Sequence, residues 1–203
     1  MKKSMFLMLF VVICGATTTL KAQEDTGTLP DYCRNEFRIG VGDNLTDLFF
    51  SGWSPIEKRN AYVLPNIFVD YTHHFCHWFG LGLQVNTIWA GGDMRERNEG
   101  AEWQSYLYGS LSVMPSLRFT YFRAEKNNVA LYSSVYGGYC LGIDKSADKQ
   151  QCHHGFTAGA TLLGVSFGGE HWFGATELGG LFGSAARTQI GSRIISIAVG
   201  YRF

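Results

Sequence analysis

Two short stretches of the chain hold the side chains that most often bind transition metals. They are His73, His74, Cys76 and His77 in one stretch and Cys152, His153 and His154 in the other. Imidazole and thiolate groups are good ligands for zinc and copper. Adjacent residues of a strand point to opposite faces, so few members of either group can converge on one ion. We therefore predict no metal site and no cofactor, with a metal site as the alternative.

Nucleophilic catalysis is the second chemistry that the sequence allows. Asp144, Ser146, His153 and His154 fall within one predicted connection between strands. A serine nucleophile needs a base within hydrogen-bond reach, and that base needs a third group to orient it. The spacing of these four residues does not indicate such an arrangement. We predict that the protein is not an enzyme and has no catalytic residues. An enzyme that transfers or removes acyl chains stays as the alternative.

The elements that must position these groups are strands. In the last twelve residues, S-R-I-I-S-I-A-V-G-Y-R-F, apolar side chains alternate with small or charged ones. This period-two pattern is typical of a strand with one apolar and one polar face. Glycines weaken the pattern in the sixth and seventh of the segments that we predict as strands. Eight segments are predicted: 36–42, 62–75, 79–89, 103–122, 129–142, 156–168, 173–183 and 192–203.

The connections between these segments alternate in length. The polar links 43–61, 90–102, 143–155 and 184–191 are long, whereas 76–78, 123–128 and 169–172 are short. Outer-membrane barrels have short periplasmic turns and longer outer loops. With the N-terminus on the periplasmic side, every long link falls on the outside and both ends of the barrel fall on the inside. The pattern predicts an all-β, eight-stranded, up-and-down antiparallel transmembrane barrel.

The N-terminus and the composition agree with export. Lys2 and Lys3 precede an apolar run of 12 residues, from Met5 to Ala16, which is shorter than the roughly 20 residues that span a bilayer. We predict a signal peptide at residues 1–22 and a barrel domain at residues 23–203. The mature chain would carry 14 basic and 17 acidic side chains. It has no basic patch for phosphates, so nucleic acid is not an expected partner.

Aromatic residues mark the ends of the predicted strands. The sequence H-W-F-G occurs at residues 77–80 and again at 171–174, each time at a short turn. Tryptophan and phenylalanine are favoured at the level of lipid headgroups. We predict an inner girdle of Phe75, Trp78, Phe79, Phe122, Trp172, Phe173 and Phe203. The predicted outer girdle is Trp89, Trp103 and Tyr139.

Taken together, these motifs resemble those of small outer-membrane β-barrel proteins of the OmpA/OmpX-like type. The motifs are the signal ending in K-A-Q, the opening strand F-R-I-G-V-G-D, the W-F-G turns and the terminal G-Y-R-F. The resemblance implies insertion in the outer membrane and a structural, adhesive or sensing role at the surface. It implies contact with membrane lipid and lipopolysaccharide, and with the barrel assembly machinery through the C-terminal strand. It transfers no catalytic motif, and the ligand of the outer loops is unknown.

Charged residues within the alternating segments should face the lumen. A charge facing lipid near the midplane costs about 2–4 kcal/mol. Eight strands enclose a space that side chains can fill, so we predict a packed ion-pair network rather than a conducting pore. Arg202 and Glu36 are the best single pair, because the first and last strands must meet. The predicted network is Glu36, Arg38, Asp70, Arg118, Glu177 and Arg202. For Glu177 the alternation does not settle which face of its strand it occupies.

The mature chain would retain four cysteines in an oxidising compartment. Cys33 and Cys76 flank the first two predicted strands at the inner rim, and Cys140 and Cys152 lie near the outer rim. We predict the disulfides Cys33–Cys76 and Cys140–Cys152, although the sequence allows three pairings and four free thiols are the alternative.

The sequence thus predicts a non-enzymatic outer-membrane barrel of the surface, envelope-integrity or adhesion type. A lipid A-modifying barrel enzyme is one alternative. A soluble periplasmic barrel that binds an apolar ligand, as lipocalins do, is another, and it would require an apolar lumen with a polar exterior.

Overall fold

The computed structural model describes residues 34–43, 56–96, 102–124, 128–146, 149–185 and 188–203. The predicted signal peptide and Cys33 lie outside these residues. No helix in this part of the chain is long and apolar enough to cross a bilayer. The described residues contain ten strands, namely β1 (Asn35–Gly42), β2 (Ile56–Val63), β3 (Asn66–Cys76), β4 (Phe79–Glu96), β5 (Gln104–Arg123), β6 (Val129–Ser146), β7 (Lys149–Gly168), β8 (Trp172–Ala185), β9 (Thr188–Ser192) and β10 (Ile195–Arg202).

Eight of these strands form a closed antiparallel ring. The order around the ring is β10-β1-β3-β4-β5-β6-β7-β8, and a ladder between β8 and β10 closes it. The short strand β2 pairs with the far end of β4, and β9 pairs with the far end of β8. The prediction of an eight-stranded up-and-down barrel is confirmed.

The two faces of the ring have opposite character. Strands β1 and β10 alternate strictly between buried and exposed residues. Outward-facing aliphatic side chains are open to the surroundings, with Ile39 54% and Ile197 60% exposed. Inward-facing Arg38 and Arg202 are 1% and 0% exposed. An apolar exterior around a charged lumen suits hydrocarbon and is the inverse of a lipocalin, so the soluble-barrel alternative is wrong.

Four strands are much longer than a membrane crossing requires. A transmembrane strand needs about 9–11 residues. Strands β4 and β6 have 18 residues each, and β5 and β7 have 20 each. Much of the predicted links 90–102 and 143–155 is therefore strand, which corrects our loop assignment. Outside hydrocarbon both faces of a strand can be polar, so the alternation that we used to find strands fades there.

Local breaks explain the other differences in strand bounds. The predicted strand 62–75 is divided at Leu64 and Pro65, and proline lacks the N–H that a ladder needs. The predicted strand 192–203 is divided at Arg193, whose φ is 65°. In β7 the register shifts between Thr161 and Leu163, so the alternation is interrupted there.

Candidate functional site

The six predicted lumen residues all lie inside the barrel. Each is buried, with 5% or less of its surface exposed. They come from five strands that close around one space: Glu36 and Arg38 from β1, Asp70 from β3, Arg118 from β5, Glu177 from β8 and Arg202 from β10.

Glu36 is the centre of the charged layer nearest the short turns. Its carboxylate accepts a hydrogen bond from Arg118 at 2.8 Å and another from Nε of Arg202 at 3.0 Å. Nε2 of His74 is 3.5 Å from the same carboxylate, and a guanidinium nitrogen of Arg123 is 3.9 Å away. The ladder between β1 and β10 places Glu36 opposite Arg202, so the predicted closing pair is formed.

Arg38 is the centre of the next charged layer. One of its terminal nitrogens lies 2.9 Å from Asp70 and the other lies 2.7 Å from Glu177. The hydroxyl of Tyr132 accepts a hydrogen bond from Arg38 and donates one to Glu177. Arg118 also reaches Asp70, at 3.3 Å, and thereby joins the two layers. The result is one connected network that crosses the lumen.

Arg193 is a further buried cation in the lumen, and it was not among the predicted lumen residues. Arg193 lies between β9 and β10 and is 2% exposed. It donates hydrogen bonds to Tyr136 at 2.8 Å and to Glu177 at 3.4 Å. Its guanidinium carbon lies 4.5 Å from the ring centroid of Phe68. Continued alternation from β10 would put this position on the exterior, but the positive φ, which the sequence does not reveal, turns the side chain inward.

Two clusters of buried apolar side chains share the interior of the barrel with these polar groups. One cluster is Ile88, Tyr108, Met114, Tyr136, Cys140 and Leu181. The other is Phe68, Phe173, Ala175 and Ala198.

The position of Phe173 corrects its assignment to the inner girdle. Phe173 is 3% exposed, and the guanidinium carbon of Arg202 lies 4.0 Å from its ring centroid. Phe173 and Glu177 are four residues apart on β8 and therefore share one face of the strand. The two predicted roles, Phe173 in the girdle and Glu177 in the lumen, were incompatible, and both side chains face the lumen.

Most of the other predicted girdle residues face outward. Phe75, Phe122, Trp172 and Phe203 are each at least 51% exposed near the short turns. Phe75 stacks on Phe79, which contacts Trp78. At the opposite end, Tyr139 and Trp89 are also exposed.

Trp103 does not lie at the level of the other outer-girdle residues. Its chain neighbour Gln104 pairs with Met94, whereas Trp89 pairs with Gly109. Six residues along a strand correspond to about 20 Å. Trp103 therefore lies well beyond Trp89 along the wall of the barrel, close to charged side chains rather than in the girdle.

The region around Trp103 forms part of what we call the projecting sheet, namely β2 with the ends of β4, β5, β6 and β7 that extend past the membrane-crossing length. The guanidinium carbons of Arg95 and Arg59 lie 4.6 Å and 5.5 Å from the Trp103 ring. Arg95 also forms a salt bridge of 2.6 Å with Glu57, and both side chains are partly exposed. In this patch of Arg59, Arg95 and Trp103, two cations lie against one aromatic ring.

The cysteines do not form the predicted pair near the outer rim. Cys140 is buried in the lumen, Cys152 is exposed, and both are free thiols. Cys140 pairs with Gly155 across the ladder, so Cys152 is three residues away and on the opposite face. Disulfide geometry allows no such separation. The Cys33–Cys76 disulfide stays a prediction, because Cys33 lies outside the described residues.

The histidines divide between the two faces, as the strand geometry predicts. His74 is buried beside Glu36, whereas Nδ1 of outward-facing His73 is 2.9 Å from Asn35. His154 contacts the hydroxyl of exposed Tyr139. Within the described residues, no three or more His, Cys, Asp or Glu side chains are grouped so that they could hold a metal ion.

The four residues considered for nucleophilic catalysis do not come together either. Asp144 pairs with Gln151, and Gly142 pairs with His153, so Asp144 and His153 share the lumen side of the ladder. His154, the next residue, lies on the other side. The side chain of Ser146 is outside the described part of the structure, and no hydrogen bond links the other three residues in the described part.

A closed ring of eight antiparallel strands, apolar outside and charged inside, defines the fold of the small outer-membrane β-barrels. The structure is similar to that of Ail, the attachment invasion locus protein of Yersinia pestis, with 15% identity and a TM-score of 0.50 over 85% of this chain and 100% of Ail. Neisserial surface protein A matches with 8% identity and a TM-score of 0.51 over 83% of this chain and 96% of that protein. OprG of Pseudomonas aeruginosa matches with 13% identity and a TM-score of 0.50 over 85% and 97%.

These likenesses confirm the predicted resemblance at the level of the fold. No protein-family model and no curated protein matches the chain. An outer-membrane barrel is therefore the class of protein that the fold and the exterior define.

Proposed function

We propose that this barrel is a non-enzymatic surface protein of the adhesion or envelope-integrity type, which acts through its projecting sheet. One observation carries the proposal: the lumen is filled by a connected network of buried ion pairs, while four strands continue far beyond the membrane-crossing length. A filled lumen has no room for transport. The surface available for recognition is then the part of the wall that stands outside the bilayer.

The Arg59, Arg95 and Trp103 patch is the best-defined feature of that wall. Exposed guanidinium groups beside an aromatic ring suit an anionic or sugar-bearing partner, because one group supplies charge and the other a flat apolar face. The similarity to Ail, which has also been solved with the heparin analogue sucrose octasulfate, supports the choice of a sulfated polysaccharide as the first test ligand. Lipopolysaccharide in the surrounding leaflet is a second expected contact, and the barrel assembly machinery is expected to recognise the C-terminal strand.

Attachment of cells that display the protein tests the proposal. Cells carrying the wild-type barrel should bind immobilised heparin, and Trp103→Leu combined with Arg95→Gln should reduce attachment several-fold. The matched control is Trp172→Leu, which removes an exposed tryptophan from the opposite end of the barrel and should leave attachment unchanged. Equal attachment by cells with and without the protein would refute an adhesive role towards this ligand class.

Refolding into lipid vesicles tests the absence of transport and of catalysis. The folded barrel should migrate faster on gels before boiling than after it, and it should show no stepwise conductance in planar bilayers. Incubation with lipid A should release or transfer no fatty acid. Stable single-channel conductance, or loss of acyl chains from lipid A, would replace the proposed function with a pore or an enzyme.

A further inference from the structure

The two arginines of the Arg59, Arg95 and Trp103 patch differ in what already occupies them. The ladder between β2 and β4 places Glu57 directly opposite Arg95. Nε of Arg95 donates a hydrogen bond to one carboxylate oxygen of Glu57 at 2.7 Å, and a terminal nitrogen of the same guanidinium lies 2.6 Å from that oxygen. One donor edge of Arg95 therefore already carries a carboxylate of the protein itself.

Arg59 lies against the same ring in a different situation. Asn60 has a φ of 51°, and the register of β2 shifts between Arg59 and Tyr62. Beside this irregularity Arg59 is exposed, and its guanidinium carbon lies 5.5 Å from the centroid of the Trp103 ring. Within the described ranges Arg59 forms no salt bridge. An anionic group can therefore reach Arg59 without displacing a described carboxylate.

Asp93 is a second carboxylate on this face of the sheet, and its contacts are different. It lies two residues before Arg95 on β4, so the two side chains share one face. Its two oxygens accept hydrogen bonds from the amide of Asn60 at 3.1 Å and from the hydroxyl of Ser105 at 3.0 Å. Both donors are neutral. Asp93 thus carries the same charge as Glu57 on the same face, but its hydrogen bonds connect strands and do not occupy Arg95.

Carboxylate, sulfate and phosphate groups compete for the same edge of a guanidinium, because each presents oxygens that accept its hydrogen bonds. The Arg95 and Glu57 side chains are 40% and 33% exposed, and exposed ion pairs are weak. We propose that Glu57 is a built-in competitor of the anionic ligand, and that a sulfate group of the polysaccharide takes the place of the Glu57 carboxylate on Arg95. This inference rests on the proposed adhesive function.

The Trp103 ring keeps Arg95 in position during the exchange. The guanidinium carbon of Arg95 lies 4.6 Å from the ring centroid, within the range of about 6 Å for cation–π contacts. This contact does not involve Glu57, so it persists when the carboxylate leaves. A group that is already held in its binding position loses less conformational freedom when the ligand arrives. The main cost of the exchange is then the contact with Glu57, and removal of the Glu57 charge should raise the affinity.

Binding of a heparin hexasaccharide to the barrel in phosphatidylcholine vesicles tests the exchange, since these vesicles contain no competing lipopolysaccharide. Glu57→Gln should bind about three- to fivefold more tightly than the wild type, close to the upper limit for one exposed ion pair. Asp93→Asn is the matched control. It removes the same charge from the same face without releasing an arginine, so it should change the affinity by about twofold at most. The gel heat shift verifies that every variant is folded.

Arg95→Gln provides the second comparison. In this background Glu57→Gln should lose its effect, because no guanidinium remains for the carboxylate to occupy. Equal gains from Glu57→Gln and Asp93→Asn, or a gain that persists without Arg95, would show that only net charge matters and would overturn the exchange.

The same measurements separate this inference from the proposed function. Heparin binding that Arg95→Gln weakens and Glu57→Gln leaves unchanged would overturn the exchange while the adhesive function stands. Absence of heparin binding in the wild type and in all variants would refute both.

Discussion

Glu177 offers the sharpest test of how the lumen contributes to stability. Its two carboxylate oxygens accept four hydrogen bonds from donors on other strands or connections. One oxygen accepts from Arg38 at 2.7 Å and from Tyr132 at 2.9 Å. The other accepts from Ser196 at 3.2 Å and from Arg193 at 3.4 Å. The substitution Glu177→Gln keeps the shape of the side chain but converts one oxygen into an amide nitrogen, which is itself a donor.

The expected cost follows from this geometry. Whichever way the new amide is oriented, two donors face its nitrogen and lose their acceptor, and one of the two is a buried guanidinium. The removed charge also leaves Arg38 and Arg193 with less compensation in a lumen that already holds more cations than anions. Breaking a buried ion pair by removing one partner typically costs about 3–5 kcal/mol. We expect Glu177→Gln to lower the free energy of unfolding by that amount.

The chain provides a matched control at Glu57. Glu57 forms a 2.6 Å salt bridge with Arg95, as short as that of Glu177 with Arg38, but its side chain is 33% exposed instead of 3%. Exposed ion pairs contribute about 0–1 kcal/mol, because water screens the charges and replaces lost hydrogen bonds. Glu57→Gln should therefore lower the free energy of unfolding by no more than about 1 kcal/mol. This loss is clearly smaller than the one expected for Glu177→Gln.

Denaturant unfolding in lipid vesicles, followed by tryptophan fluorescence, measures both free energies by linear extrapolation. The slope of free energy against denaturant should stay equal among the three proteins, which would show that the unfolded states are comparable. If Glu177→Gln and Glu57→Gln cost the same, burial of the network would not determine its energetic importance, and the reasoning would be refuted.

Three further predictions test the assignment of faces. Ile39→Arg puts a charge into hydrocarbon near the middle of β1 and should cost about 2–4 kcal/mol in the same unfolding assay; an unchanged stability would contradict the lipid-facing assignment. Gly138→Ala should prevent folding, as monitored by the gel heat shift, because the added methyl group would meet a backbone carbonyl of β5, whereas Gly169→Ala has 3.7 Å of clearance and should fold normally. In single-cysteine variants of the folded barrel, Cys152 should react with a water-soluble maleimide and Cys140 should not, since the former is exposed and the latter is 0% exposed. Rapid labelling of Cys140, or protection of both thiols, would show that the described arrangement of β6 and β7 is wrong.

The sequence was sufficient for the architecture, because a barrel in lipid imposes a period of two on every strand. Hydrocarbon excludes charge from one face, so the alternation of Ile195 to Phe203 with Ser196 to Arg202 indicates both the strand and its orientation. The same alternation of apolar and charged residues put Glu36, Arg38, Asp70, Arg118 and Arg202 inside the barrel. Beyond the bilayer, the alternation of apolar and polar residues did not show where strands end, because water accepts polar residues on either face.

Only the closed ring decided which side chains pair with each other inside the lumen. Arg38 and Glu177 are separated by 139 positions in the chain, and their contact depends on how far each strand is shifted relative to its neighbours. The alternation along a strand gives the face on which a residue lies but not its height along the lumen. A partner could therefore be predicted only for Glu36 and Arg202, which the ladder that closes the barrel places opposite each other. Arg193 was not predicted in the lumen, because a single positive φ turns it inward, and Phe173 was wrongly assigned to the girdle although it lies on the same face of β8 as Glu177, where its ring meets Arg202. Local alternation thus determined which side of the wall each residue occupies, and the tertiary structure determined what it meets there.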